Sequence, residues 1–257
     1  MFFQTIGEII RDYWPSLLLG IKTTVEVAIV GTVLGFLLGL LIGGVKAIRL
    51  DYTASKTARF FKKLYDIIAN IYITVLRGTP MMVQSMVIFW GYAFMAGGKT
   101  LPLIPAGIFI VSINTGAYMA EIVRGGIISI EKGQFEGSYA VGMTHWQAMV
   151  HVIIPQALRN ILPSISNEFV INIKDTSVLN VIGVAELYKM AYDIQRMNLK
   201  IFETYAIVCV LYFVLTFSVT RLLRFLEKKL EGSRNYTICG SQSDPAAVIR
   251  VKEESHG

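Results

Sequence analysis

Two long stretches of this sequence carry no charged residue, and they decide what kind of structure the chain can form. They are VAIVGTVLGFLLGLLIGGV at 27–45 and TYAIVCVLYFVLTFSVT at 204–220. As helices rising about 1.5 Å per residue, each roughly matches the ~30 Å hydrocarbon layer of a bilayer. Only 16% of the 257 residues are charged, against about 25% in soluble domains. The sequence therefore predicts an all-α integral membrane protein.

The apolar pattern predicts five transmembrane helices. The crossings are expected at about 20–45, 80–97, 103–123, 157–178 and 203–225. The second comes from the stretch 67–98, which at about 48 Å is too long for one crossing. Its "RGTP" offers Thr79 as an N-cap and Pro80 as the first helical residue. Residues 57–76 are therefore predicted to form an amphipathic helix at the membrane surface, ahead of the crossing.

Lysine and arginine predict the orientation of the spans. They cluster at 46–63 and 221–229 and are scarce before the first crossing and between the second and third. The positive-inside rule then places the N-terminus outside, the C-terminus in the cytoplasm and residues 124–156 in the cytoplasm. Because the basic residues lie between spans, the pI near 9.2 reflects topology and not nucleic-acid binding.

Four glycines in the first crossing, Gly31, Gly35, Gly39 and Gly43, recur every fourth residue. This spacing gives a helix one smooth face that another helix can approach closely. Two partners are equally compatible with the pattern: a second copy of the chain, or another helix of the same subunit.

A polar segment, EGSYAVGMTHWQAMVHVIIP at 136–155, interrupts the apolar runs. A first short helix is expected from about 132 to 141, ended by Gly142. A second opens with the T-x-x-Q capping box of Thr144 and Gln147. Its apolar residues at 146, 149, 150, 153 and 154 predict one stripe, and Pro155 is expected to end it and turn the chain back toward the bilayer. Such a bracket suits docking of a partner; the alternative is a hairpin lying on lipid head groups.

The same segment is similar to the EAA loop of bacterial ABC-importer permeases, whose short helices couple the permease to its ATPase. Glu136, Gly142 and Pro155 match that motif, while Gly137 and Ser138 stand where the family has two alanines.

Three further stretches resemble the polar amino-acid uptake branch of that family. They are LRGTP at 76–80 with Gln84, AYMAEIVRGGIISI at 117–130 and NEFVINIKDTSVLNVIGVAEL at 167–187. The resemblance covers roughly 15–230, which is expected to be the permease domain. Residues 231–257 are expected to be a disordered cytoplasmic tail.

The resemblance implies a type I ABC importer permease in the bacterial cell membrane. Its implied partners are cytoplasmic ATPase subunits that bind ATP and Mg, a second identical or homologous permease, and an external binding protein that delivers an amino acid. No cofactor is expected in this chain. The residues assigned to ATPase coupling are Glu136, Gly137, Ser138, Gly142, Thr144 and Pro155.

Polar residues at membrane depth are candidates for function. The candidates for the substrate pathway are Gln84, Asn114, Thr115, Tyr118, Asn167 and Glu168. The candidates for a gate or a structural role are Arg77, Glu121, Arg124, Lys174, Asp175 and Ser177. Hydrogen bonding between helices is the alternative for the first set. For Glu121 and Arg124 it is an i,i+3 ion pair, and for Asp175 it is a helix cap.

Enzymatic chemistry is not expected in this chain. No nucleophile stands with a base, and no metal-binding cluster is visible in the sequence. GGKT at 97–100 lacks the first glycine of a phosphate loop because position 93 is Ala93. Two other functions remain open: a proton-coupled secondary transporter that uses an intramembrane carboxylate, and a non-transporting membrane scaffold. Inverted repeats, which would favour a secondary transporter, are not visible in the sequence.

Overall fold

The computed structural model describes residues 2–48, 55–231, 236–239 and 248–251. The helices are α1 (Phe2–Ala47), α2 (Lys56–Gly78), α3 (Met81–Met95), α4 (Leu103–Ile128), α5 (Lys132–Ala140), α6 (His145–Ala148), α7 (Ile154–Asp175), α8 (Leu187–Asn198) and α9 (Ile201–Glu231). A π-helical turn, Met149–Ile153, joins α6 to α7, and a 3-10 helix, Thr176–Ile182, follows α7.

Two short strands, β1 (Tyr236–Cys239) and β2 (Val248–Val251), pair antiparallel within the C-terminal tail. Tyr236 lies opposite Val251 in this register. The rest of the predicted disordered tail lies outside the described residues, as do Arg49 and Asp51 of the basic segment 46–63.

Three of the described helices, α1, α4 and α9, are long and apolar enough to cross a membrane. The pair α2 and α3 qualifies only when taken together, and the two helices are bent by 111° at their junction. The described residues thus contain three candidate crossings, or four if the bent pair forms one span. α7 covers the predicted fourth crossing but is not among the candidates, because polar residues such as Arg159, Asn167 and Lys174 interrupt its apolar sequence.

α1 is much longer than the predicted crossing at 20–45. Its 46 residues span about 69 Å, more than twice the hydrocarbon thickness. The N-terminal part packs against α8 and α9, where Ile9 and Leu17 join a buried cluster with Leu187 and Ile194. Charged residues near the N-terminus interrupt the apolar pattern without ending the helix. The crossing predicted at 20–45 therefore covers only the C-terminal part of α1.

The glycine stripe of α1 packs against α4 of the same subunit. A Cβ atom added to Gly31 would lie 2.6 Å from Val111 Cγ1, and one at Gly35 would lie 2.7 Å from Thr115 Cβ. At Gly39 an added Cβ would overlap Met119. Of the two partners that the sequence left open, the structure shows the intrasubunit helix.

The junction of α2 and α3 is held together by a glutamine. Gln84 Nε2 donates to Leu76 O at 2.8 Å and to Thr79 O at 2.9 Å, two carbonyls at the end of α2. Thr79 caps the C-terminus of α2 and Pro80 is the N-cap of α3, one position away from the predicted roles. α3 has 15 residues, about 22 Å, and is therefore too short to be the predicted crossing at 80–97 by itself.

Asn114 on α4 completes this junction. Its Nδ2 donates to Gln84 Oε1 at 2.9 Å and lies 3.4 Å from Leu76 O. Both amides are buried, with 7% of Gln84 and 8% of Asn114 exposed. Carbonyl groups at a helix end need partners when water is excluded, and this amide pair supplies them.

The close approach of α1 and α4 predicts opposite effects for two neighbouring glycines. Gly39→Ala should lower the free energy of unfolding by about 1–3 kcal/mol, because the new methyl group overlaps Met119. Gly44→Ala, at a position with no atom within 4 Å of the added Cβ, should be neutral or stabilise by up to about 1 kcal/mol through helix propensity. Unfolding in detergent measures both, and equal effects would contradict the packing.

The amide pair predicts coupling between Gln84 and Asn114. Each single substitution to alanine should destabilise the protein by about 1–3 kcal/mol, because a buried partner loses its hydrogen bond. In a double-mutant cycle the two should be non-additive by at least ~0.5 kcal/mol. Ser112→Ala is the matched control, since Ser112 bonds within its own helix, to Ile108 O. Additive effects of the two alanines would show that the amides act independently.

Candidate coupling segment and translocation pathway

α5 ends as the sequence predicts, at a glycine. Gly142 has φ +83°, a left-handed conformation that glycine adopts without steric cost. The amides of the turn are satisfied, since Gly142 N donates to Tyr139 O at 2.9 Å and Met143 N to Ser138 O at 3.1 Å. The turn therefore sets a fixed angle between α5 and α6.

The predicted capping box at the start of α6 is present. Thr144 Oγ1 accepts from Gln147 N at 3.3 Å, and Gln147 Oε1 accepts from Thr144 N at 2.9 Å. A second contact links the two short helices: Tyr139 OH lies 2.8 Å from His145 Nδ1. The segment from α5 to α6 is thus braced on both sides of Gly142.

The prediction that Pro155 ends the second helix is wrong. The chain continues through the π-helical turn into α7, where Pro155 lies in the first turn. Ile154 N donates to Met149 O, five residues earlier. The proline is accommodated because the first turn of a helix does not need its missing N–H. The coupling segment and α7 therefore form one continuous helical path.

The predicted single apolar stripe is divided between two faces. Met149 and Ile153 are buried in a cluster with Val123, Ile127 and Ile161, which joins the segment to α4 and α7. Trp146 is 73% exposed and Val150 is 38% exposed. One face of the segment therefore anchors it to the rest of the subunit, and the other remains open.

Glu136 and the two residues that stand in place of the EAA alanines differ in their exposure. Glu136 and Gly137 are exposed. Ser138 is buried, and its hydroxyl donates to Gln134 O at 2.6 Å. Beyond α5, Val141 is 75% exposed. A carboxylate and large apolar side chains are therefore available together on the outer face of this segment.

Several pathway candidates form hydrogen bonds between helices. Gln84 and Asn114 bind one another at the α2–α3 junction, as described above. Thr115 joins Thr32 and Asn172: Asn172 Nδ2 donates to Thr32 Oγ1 at 2.7 Å and to Thr115 Oγ1 at 3.0 Å. Asn172 was not predicted from the sequence, although this residue stands four positions after Glu168 in the same motif.

Arg77 and Tyr118 contact one another directly. The Arg77 guanidinium lies 5.1 Å from the centroid of the Tyr118 ring, a cation–π distance. Arg77 and Asp175 are also the charged groups whose fields act on the Glu168 carboxyl. Arg77 of α2 therefore contacts Tyr118 of α4, and its charge acts on the Glu168 carboxyl of α7.

The exposed face of α7 carries polar side chains. Arg159, Asn167 and Lys174 are exposed, and their spacing of eight and seven residues places them on one side of the helix. Asp175 stands at the N-cap of the following 3-10 helix, but its side chain makes no cap hydrogen bond. Ser177 lies in that 3-10 helix, where its carbonyl accepts from Asn180 Nδ2 at 2.6 Å.

Glu121 forms the predicted ion pair with Arg124 and a second one with Lys46. The distances are 2.8 Å from Arg124 Nη2 to Glu121 Oε2 and 2.6 Å from Lys46 Nζ to Glu121 Oε1. The cluster ties the end of α1 to the end of α4, beside the coupling segment. Arg77, another gate or structural candidate, contacts Tyr118 and not this cluster.

Glu186 is a buried carboxylate that the sequence analysis did not single out. It accepts from Tyr188 N at 2.9 Å, Lys189 N at 2.6 Å and Tyr212 OH at 2.8 Å, and it is 0% exposed. Burial raises the pKa of the Glu186 carboxyl, and these hydrogen bonds oppose the rise. It caps α8 and joins it to α9, a capping role that its position ahead of an amphipathic helix could have indicated.

Comparison with known proteins agrees with this geometry. The model of the family "Binding-protein-dependent transport system inner membrane component" matches residues 52–232. A glutamine transport system permease protein, GlnP, of Escherichia coli strain K12 is 34% identical over 85% of this chain and 95% of its own length. The L-cystine transport system permease protein TcyB of Bacillus subtilis strain 168 is 35% identical over 86% and 89%.

A solved structure has the same fold. A crystal structure of an amino acid ABC transporter with histidines shares 37% identity and a TM-score of 0.74, covering 86% of this chain and 96% of the other. The resemblance seen in the sequence is therefore confirmed, and this chain belongs to the family of inner-membrane components of binding-protein-dependent transport systems.

Proposed function

We propose that this chain is the permease subunit of an ATP-driven importer of polar amino acids in the bacterial cell membrane. The observation that carries the proposal is the braced α5–α6 segment, which is exposed on one face and continuous with α7 on the other. The partners proposed are cytoplasmic ATPase subunits that bind ATP and Mg, a second permease and an external binding protein. Membership of a permease family does not favour the proton-coupled alternative.

The coupling segment is proposed to dock on the ATPase through its open face. Exposed Val141 and Trp146 offer apolar contact, and exposed Glu136 offers a charge to that partner. Movement of the docked segment would pass to α7 through the π-helical turn and to α4 through the buried cluster around Ile153. ATP can shift the subunit between two states only if the ATPase contacts this segment differently in each.

The substrate pathway is proposed to follow the polar face of α7. Polar groups at membrane depth rarely face lipid, so the exposed Arg159 and Asn167 are expected to face a water-filled path or the second permease. Covered in this way, α7 would serve as the crossing predicted at 157–178 despite its polar residues. Together with the four candidate crossings, it would bring the total to five. The N-terminus outside and the C-terminus in the cytoplasm follow from the lysine and arginine distribution.

Glu168 and Arg77 are proposed to contact the substrate. The relatives are named for glutamine and cystine transport, and the solved neighbour contains histidines. These amino acids share an α-ammonium and an α-carboxylate group. A carboxylate from α7 and a guanidinium from α2, which interact electrostatically, match that pair of charges.

Charge reversal at Glu136 tests the docking face. Glu136→Lys should abolish ATPase binding or uncouple ATP hydrolysis from uptake, because it reverses the charge at the proposed contact, while membrane insertion stays normal. Uptake into vesicles together with ATPase activity measures this effect. Glu227→Lys, the same change near the C-terminal end of α9, should leave both unchanged. Normal coupling in Glu136→Lys would count decisively against the assignment.

Neutralising Glu168 tests the pathway. Glu168→Gln keeps the size of the side chain and removes its charge, so we expect roughly a tenfold or greater loss of transport affinity, or an altered preference between cationic and neutral amino acids. Concentration-dependent uptake measures it, and Glu227→Gln, the same change near the C-terminal end of α9, serves as the comparison. Unchanged kinetics in Glu168→Gln would assign this carboxylate to helix packing.

A further inference from the structure

A cavity of about 320 Å³ lies between α7 and α9 and is lined by three basic side chains, Lys174, Arg221 and Arg224. Among the described residues that line it, none is acidic. Its volume is at the lower end of the roughly 300–1,000 Å³ found for small-ligand pockets. The coupling segment and the proposed substrate contacts at Arg77, Tyr118 and Glu168 do not line this cavity.

Ion pairs do not neutralise the three cations within the described part of the chain. None of them forms an ion pair there, and Arg221 instead lies over the Phe217 ring, 5.2 Å from its centroid. Asp175 interacts electrostatically with the neighbouring Lys174, but it does not line the cavity. Like charges held around one small space repel each other, so the cavity favours an anion.

Two threonines, Thr216 and Thr220, also line the cavity, and their hydroxyls donate to carbonyls of α9 itself. The rest of the wall is apolar. Val170, Phe213 and Phe217 line it, and the two phenylalanines are 64% and 50% exposed. A free inorganic anion would gain nothing from these side chains. A ligand with an anionic head and an apolar tail would contact both the cations and the rings.

The cavity also extends to the end of the charge-free run of α9. Arg221 is the first charged residue after the charge-free run 204–220 of α9, a helix apolar and long enough to cross the bilayer. A head group at Arg221 and Arg224 would therefore lie level with the lipid head groups, with its tail along Phe217 and Phe213. Basic pockets between transmembrane helices bind anionic lipid head groups in this way.

We propose that the cavity between α7 and α9 binds the phosphate of an anionic phospholipid, held by Lys174, Arg221 and Arg224. Guanidinium groups match phosphate oxygens in bidentate geometry, and the acyl chains would cover the exposed rings. This proposal depends on α9 crossing the bilayer and not on the transported substrate.

Lipid retention tests the proposal. The full chain, purified with its ATPase partner, is reconstituted into mixed phosphatidylglycerol and phosphatidylcholine, and the lipid that stays bound is measured by native mass spectrometry. Wild type should retain phosphatidylglycerol in preference. Lys174→Met and Arg221→Gln should each weaken this retention about fivefold, as expected for removal of one charge near a membrane surface. Lys228→Gln, in the last turn of α9 and outside the cavity, should not.

Three results would overturn the proposal. They are an equal loss in Lys228→Gln, no preference for phosphatidylglycerol in wild type, and displacement of the bound lipid by inorganic phosphate, which would assign the site to a free anion. Phe217→Ala, which keeps all three cations, should also weaken retention if the tail contacts the ring. If Arg221→Gln fails to fold, Arg221→Lys is measured in its place. Because this variant keeps the charge, it should still retain phosphatidylglycerol.

Discussion

The contact between α1 and α4 is the interaction on which the rest of the structure depends. In a bilayer, lipid competes with protein for apolar surfaces, so helices associate through close packing more than through burial from water. The glycines of α1 let its backbone approach Val111, Thr115 and Met119. This approach also brings Thr32 and Thr115 within reach of Asn172, so that α7 is attached to the same pair of helices.

Several buried amide side chains form their hydrogen bonds with other groups of the subunit. Gln84 and Asn114 satisfy the carbonyls at a sharp bend, and Asn172 links three helices. What remains for a substrate is the polar face of α7 and the neighbouring Arg77, Tyr118 and Glu168. The bonded amides are poor candidates for substrate contacts, because an amide whose hydrogen bonds are made inside the protein has few donors or acceptors free for a ligand.

The α5–α6 segment is joined to α4 and α7 without a flexible connection. The turn at Gly142, the capping box at Thr144 and the π-helical turn each satisfy their own backbone groups. The buried cluster around Ile153 fixes the segment to α4 and α7. A displacement of the open face must therefore be shared by helices that carry the candidate pathway residues.

The sequence by itself determined the features that are encoded locally. The charge-free runs, the glycine stop at Gly142, the capping box and the Glu121–Arg124 pair all depend on residues within a few positions of each other, and all are present in the structure. Family membership could also be predicted from the separated motifs, although the roles of individual pathway residues could not.

Tertiary structure alone decided which surfaces meet. The glycine stripe could face any smooth helix, and only packing selected α4. Pro155 looked like a helix end because proline lacks an amide hydrogen, yet the π-helical turn before it removed the need for one. Glu186 was not predicted as a functional or structural residue, because its burial depends on α8 and on Tyr212 of α9. Local sequence fixes backbone conformation through short-range sterics and hydrogen bonds, whereas the partner of each face depends on residues far apart along the chain.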